Sequence, residues 1–256
     1  MPHSRSGLSY GRSQPASNWG ASEVHDRAKE FQGKVALITG AAGDGIGQAC
    51  ARRLAEGGAT VVVTDVHERR TTEVSERITA ELGAHAVGIP MDICDRDQMR
   101  SVLKRVNAEL GPVSILINNA ALNVQGDIFD CDIEVFERVL FADVTARWFL
   151  SMLAGQQMKA AGGGAIVNIG SIANQRGSAA IQPPYAIAKG AMPALTRGLA
   201  RAGGPFNIRA NEVIMGSVSD TRFMRSRQDV LDGFLPQIPL GRHARSGDIA
   251  EAVAFL

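Results

Sequence analysis

The sequence predicts an α/β fold: a parallel sheet covered by helices on both faces. Three observations carry it. Short apolar runs alternate with helical stretches along most of the chain. A glycine-rich turn follows the first apolar run, and an aspartate ends the second. The 256 residues, 45% of them hydrophobic, suit one domain of the larger kind.

The elements run in order from Lys34. Val35 to Ile38 is an apolar strand, followed by glycines and a helix over Ile46 to Glu56. Ala59 to Thr64 is the second strand, with a helix over Glu68 to Leu82. Ala84 to Ile89 is a weaker strand before a helix near Arg96 to Leu110. Val113 to Ile117 comes next, and one long helical stretch covers Ile133 to Ala160. Ala165 to Ile169 is a strand, and the helix holding Tyr185 runs to Ala202. Ile208 to Ile214 is the last strand, and Gly247 to Leu256 opens a last helix. Residues 1–31, rich in Ser, Gly, Arg and Asn, read as a disordered extension. Residues 32–256 read as a single domain.

Bulk properties exclude several function classes. A net charge of +1 gives no electrostatic case for nucleic acid or an anionic membrane. No apolar run approaches the roughly 18 residues a membrane span needs. Cys50, Cys94 and Cys131 form no metal spacing and the histidines are dispersed, so no metal site is expected. Scattered cysteines, odd in number, fit reduced thiols in a cytoplasmic protein.

The chemistry-bearing residues fall into two groups. Gly40, Gly43, Asp44, Gly45, Ile46 and Gly47 lie between a strand and a helix. Glycines there allow a tight turn and let backbone amides approach a pyrophosphate at a helix N-terminus. Asp65 follows Gly47 by 18 residues and ends the second strand. It can accept both hydroxyls of an adenosine ribose and would repel a 2′-phosphate. Asp44 adds a second negative charge, so NAD is favoured over NADP, while His67, Arg69 and Arg70 keep NADP open. The second group is Tyr185 and Lys189, four residues apart and thus on one helix face. The chain has two tyrosines, and the other, Tyr10, lies in the polar N-terminal stretch. A cation beside a phenol favours phenolate, which predicts a lowered Tyr185 pKa and an acid/base near neutrality.

With these pieces the chain resembles the short-chain dehydrogenase/reductase family, from Lys34 to Leu256. The resemblance rests on Thr39 to Gly47, Asp65, Asp92, Asn118-Asn119-Ala120, Ile166 to Ser171, Tyr185 to Lys189 and Ile208 to Asn211. It implies a Rossmann-type doubly wound sheet in three layers and an NAD(P)(H)-dependent oxidoreductase interconverting a secondary alcohol and a ketone. It also implies roles. Asp92 and Ile93 border the adenine, and Asn118, Asn119 and Ala120 line the cofactor. Ser171 steadies the substrate oxygen, Tyr185 transfers its proton, and Lys189 binds the nicotinamide ribose and depresses the tyrosine pKa. A small-molecule substrate and a homotetramer or homodimer follow by analogy.

The chain departs from the family pattern in four places. The glycine loop is one residue longer, with Gly43-Asp44 before Gly45. Asp143 stands where the family has an asparagine in its proton path; ionised, it donates no hydrogen bond. Met215-Gly216 replaces Pro-Gly, and Thr221, Asp220, Ser217 or Ser219 would have to meet the nicotinamide amide. The chain stops at Ala254-Phe255-Leu256, inside a helix, so the family's seventh strand is expected to be missing. These departures support a rival reading, a nucleotide-binding scaffold or regulatory subunit with little catalysis.

Overall fold

A computed structural model describes residues 27–124, 127–176 and 183–256. Six strands form one parallel sheet in the order β3-β2-β1-β4-β5-β6. They are β1 (Val35–Thr39), β2 (Thr60–Asp65), β3 (Ala86–Pro90), β4 (Ile115–Asn118), β5 (Gly164–Ser171) and β6 (Ile208–Met215). The connecting helices are α1 (Ile46–Glu56), α2 (Glu68–Leu82), α3 (Arg96–Glu109), α4 (Ile133–Leu140), α5 (Ala146–Ala160), α6 (Ala173–Arg176) and α7 (Pro183–Gly203). After β6 come α8 (Arg222–Arg225), α9 (Gln228–Phe234) and α10 (Ser246–Phe255). This is the doubly wound α/β architecture that the alternation of strands and helices predicts.

Alternate residues of each strand feed two cores. Ala36 and Ile38 pack with Cys50 and Leu54 of α1, Val74 and Ile78 of α2, and Ile249 and Val253 of α10. Val35 and Leu37 face the opposite layer, with Met99 and Val106 of α3 and Phe149, Leu150 and Met158 of α5. Both faces are covered, so Leu37, Ile38, Leu116 and Ile117 are fully buried. Strand order reverses between β1 and β4, and the crevice at such a switch point is where ligands bind in open α/β sheets.

Two details differ from the sequence reading. The expected helix Ile133 to Ala160 is interrupted by a π-helical turn, Phe141–Thr145, in which Ala146 N–H donates to Phe141 O. Single π-turns inside α-helices recur at functional sites, and this one contains Asp143. Part of the expected disordered extension is also ordered. Arg27–Lys29 form a 3-10 turn, Phe31 N–H donates to Gly57 O at 2.7 Å, and Glu30 pairs with Arg53 at 2.7 Å. The guanidinium of Arg53 lies over the Phe31 ring, which ties this segment to α1. Residues 1–26 lie outside the described residues.

Gly88 of β3 marks a close approach of sheet and helix. A Cβ there would collide with the Thr71 carbonyl of α2. Gly88→Ala is therefore expected to destabilise the protein by about 1–3 kcal/mol, read as a lower midpoint in chemical denaturation.

Candidate active site

The residues singled out from sequence converge at the carboxyl edge of the sheet. The glycine loop follows β1, Asp65 ends β2, Asp92 and Ile93 follow β3, Asn119 and Ala120 follow β4, Ser171 ends β5, and Gly216 follows β6. Tyr185 and Lys189 come from the first half of α7, and both are buried.

The glycine loop is braced from below. Thr39 Oγ1 donates to Ile117 O and accepts from the amides of Asn119 and Ala120 at 3.0 Å. Asn119 Nδ2 donates to Thr39 O at 2.9 Å and to Gly40 O at 3.0 Å. Gly40 has φ +65°, and a Cβ on Gly47 would lie 2.5 Å from Gly40 O and 2.6 Å from Asn119 Nδ2. No side chain caps the start of α1, so its first-turn amides lack a side-chain acceptor. Glycines that no Cβ can replace, beside an uncapped helix start, fit a pyrophosphate. Asp65 can receive a ribose from the end of β2. Its oxygens accept only long bonds, from Ala42 N at 3.4 Å and His67 N at 3.3 Å. Burial pushes its carboxyl above the ordinary value, while the loop amides, Arg70 and Arg222 pull the other way.

Asp44 behaves differently from its sequence reading. Its carboxylate pairs with Arg225 of α8 at 3.0 Å, and its carbonyl accepts from Arg222 N at 3.0 Å. Its negative charge is therefore matched and carries little weight against a 2′-phosphate. The extra loop residue serves as an attachment for the segment after β6. In that segment Asp220 accepts from the amide and hydroxyl of Ser246, both at 2.8 Å, and Thr221 caps α8. Ser219 donates to Ala244 O. Ser217 Oγ is buried with no hydrogen-bond partner among the described residues. Of the four candidates for the nicotinamide amide, Ser217 is thus the one whose hydroxyl is unused.

The Tyr185–Lys189 end of the site is a buried cluster of charges. Lys189 Nζ donates to Ile169 O at 2.9 Å and stands 4.0 Å from Asp143 Oδ2. Asp143 faces Lys189 as the aligned position requires; its Oδ1 accepts from Leu122 N at 2.7 Å, and its Oδ2 has no hydrogen-bond partner. Burial pushes the Asp143 carboxyl up, against the pull of Lys189 and Arg147. Burial first, then the Arg147 cation, pushes Lys189 down to about 7. The Ser171 hydroxyl favours the Tyr185 phenolate. Burial nevertheless raises Tyr185 above its ordinary value, and the Asp143 charge adds to the rise. The sequence reading expected a lowered value; it counted the neighbouring cation and not the desolvation of the ring.

Sequence reasoning missed two members of the cluster. Arg147 Nη1 donates to Asn118 O at 2.8 Å and Ile169 O at 2.9 Å; Nη2 donates to Ala120 O at 2.9 Å and Asn119 O at 3.4 Å. Arg147 follows Asp143 by four residues, a helical spacing that would have put both on one face. The other is Glu212 of β6, paired in register with Asn168. Its side chain occupies the space that a Cβ on Gly170 would fill, and its Oε1 is buried without a partner. Burial raises its carboxyl; Lys189, Arg147 and Arg197 act against that rise.

The substrate side is partly outside the described residues, which stop at 176 and resume at 183. Leu231 is buried, whereas Phe223, Phe234 and Leu235 remain well exposed. Among the described residues no group of His, Cys, Asp and Glu could hold a metal ion, and no helix is long and apolar enough to cross a membrane.

Comparison with known proteins agrees with this geometry. The family model described as enoyl-(acyl carrier protein) reductase matches residues 40–256. Trans-4-hydroxycyclohexanecarboxylate dehydrogenase of Sinomonas cyclohexanicum is 35% identical over 92% of this chain and 88% of its own. The 3-oxoacyl-[acyl-carrier-protein] reductase FabG of Escherichia coli is 33% identical over 88% of this chain and 90% of its own. A short-chain type dehydrogenase/reductase from Mycobacterium marinum superposes with a TM-score of 0.84 at 31% identity, over 90% of each chain.

The buried Lys189 generates a stability prediction. The unfolded chain holds a lysine proton up to the ordinary value, and the folded chain releases it near 7. Above about 7 the unfolded state binds more protons, so this group adds stability as pH rises. Relative to Lys189→Met, the parent is expected to gain stability from pH about 7 to about 9, measured by denaturant unfolding. With its glycine loop, its buried Ser171–Tyr185–Lys189 group and relatives matched over most of their length, the chain belongs to the short-chain dehydrogenase/reductase family of oxidoreductases.

Proposed function

We propose that this chain interconverts a secondary alcohol and a ketone with NAD(H), NADP(H) being the less favoured cofactor. The observation that carries the reading is the burial of Ser171, Tyr185 and Lys189 together, with Lys189 Nζ 5.1 Å from the Tyr185 ring, beside a glycine loop fit for a pyrophosphate. The nicotinamide, when bound, supplies hydride exchange at the carbon that bears the oxygen. Tyr185 gives its phenolic proton to a carbonyl oxygen, or takes one from a hydroxyl. Ser171 holds that oxygen as its charge develops. Lys189 lies one turn from Tyr185, and the unpartnered Oδ2 of Asp143, 4.0 Å from Lys189 Nζ, is placed to exchange its proton. Asp65 would receive the adenosine ribose, Asp92 and Ile93 the adenine, and Asn119, Ala120 and Gly216 the remaining edge of the groove. The setting proposed is a cytoplasmic homotetramer or homodimer.

The names of the relatives suggest where to look for substrate: a cyclic hydroxycarboxylic acid and a 3-oxoacyl thioester. A panel of both kinds, with NAD and NADP run in parallel, should give turnover with a higher kcat/KM for NAD. Tyr185→Phe should lower kcat by roughly 10²–10⁴ while leaving cofactor affinity nearly unchanged. Retention of full turnover in that variant would reject the assignment. Gly47→Ala should weaken NAD binding by about tenfold or more in calorimetry, since the added methyl displaces Gly40 O or Asn119.

One observation favours the rival reading. The Asp143 charge raises Tyr185 and so opposes its use as a base. A nucleotide-binding scaffold would bind NAD, turn over no substrate, and gain nothing from Asp143→Asn.

A further inference from the structure

The segment after β6 touches the glycine loop at its extra residue. Arg222 N–H donates to Asp44 O at 3.0 Å, and Arg225 of α8 pairs with the Asp44 carboxylate at 3.0 Å. Thr221, one residue earlier, comes so close that its Cβ would lie 3.6 Å from a Cβ on Gly45, the residue that caps α1. The start of α8 therefore rests on the start of α1. The other side of the segment is rooted as well. Ser219 N–H donates to Ala244 O and Ala244 N–H to Ser217 O, both at 3.0 Å, and Asp220 accepts from Ser246 at the start of α10. Arg222 thus leaves a backbone held from two directions.

The charge of Arg222 is uncommitted. Arg225 already matches the Asp44 carboxylate. Arg222 is exposed, and among the described residues no carboxylate pairs with its guanidinium. Its charge pulls on the Asp65 carboxyl at the end of β2, across the groove between the loop and that strand. The first-turn amides of α1 lack a side-chain acceptor and border the same groove. Amides at a helix start on one side and a free guanidinium on the other favour an anion between them. A guanidinium also offers two parallel N–H groups to one phosphate. We propose that Arg222 is a cofactor-binding residue, which meets the pyrophosphate from the side opposite the α1 amides and is fixed there by the extra loop residue Asp44. The longer loop then has a purpose. Its carbonyl anchors the backbone of Arg222, while its carboxylate, taken by Arg225, leaves the Arg222 charge free.

This role rests on the glycine loop holding a dinucleotide, but its test requires no turnover. Calorimetric titrations with NAD, NADP and adenosine read it directly. Arg222→Met should weaken NAD and NADP alike by about tenfold and leave adenosine unchanged. It should also reduce the fall of NAD affinity with added salt. Arg222→Lys keeps the charge but not the planar fork, and should recover part of the loss. Because Arg222 is exposed, Arg222→Met should keep the parent's thermal midpoint. A loss confined to NADP would put Arg222 on a 2′-phosphate and overturn the proposal. An equal loss for adenosine would make its role structural and overturn it too. If the parent binds NAD and Arg222→Met binds it equally well, this role alone is rejected and the cofactor reading stands. A parent that binds neither dinucleotide rejects both.

Discussion

Burying a charge requires a partner, and the core of this site buries several at once. Asp143 is 0% exposed, Lys189 1% and Arg147 2%. Asp143 and Arg147 come from consecutive turns of one interrupted helix, and Tyr185 and Lys189 from consecutive turns of another. Each is an i,i+4 pair, and the two helices bring the pairs face to face over the end of β5. Removing Asp143 would leave the Arg147 guanidinium without the carboxylate that faces it, and removing Arg147 would leave Asp143 short of a cation. The π-turn makes it possible by widening the helix at Asp143, whose Oδ1 is held by Leu122 N–H.

The same constraint joins the Tyr185–Lys189 cluster to the glycine loop. Asn119 and Ala120 are held on one side by Thr39 and on the other by Arg147. Thr39 leads directly into Gly40, where the loop turns with positive φ. A displacement of Arg147 would therefore reach the glycine loop through a short chain of hydrogen bonds between side chains and backbone. The segment after β6 closes the far side through Asp44 with Arg225 and Arg222 N–H. Because Arg225 and Asp44 are both more than half exposed, that pair orients the segment more than it stabilises it.

Much of this was legible in the sequence. Strand and helix periodicity located every strand of the sheet to within a few residues, because a sheet buried on both faces writes itself as uninterrupted apolar runs such as Val61-Val62-Val63. The glycine loop, Asp65, Ser171, Tyr185 and Lys189 declare themselves by spacing. What stayed hidden depends on neighbours distant in sequence. Arg147 looks like a surface arginine until the Asn118 and Ile169 carbonyls are brought to it. Glu212 looks misplaced in a strand until Gly170 of the adjacent strand leaves it room. The upward shift of Tyr185 is invisible in the sequence because spacing reports the cation and not the burial. Asp44 looked like an obstacle to phosphate until Arg225 was seen to pair with it.

The central claim is that two cations share the Ile169 carbonyl and that the lysine yields its charge. The most direct measurement is the titration of the Lys189 side-chain nitrogen by heteronuclear NMR on lysine-labelled protein, with Lys189→Arg used for assignment. The account predicts that it loses its proton at about 7 in the protein without ligand. A lysine that stays protonated to its ordinary value near 10 would contradict it.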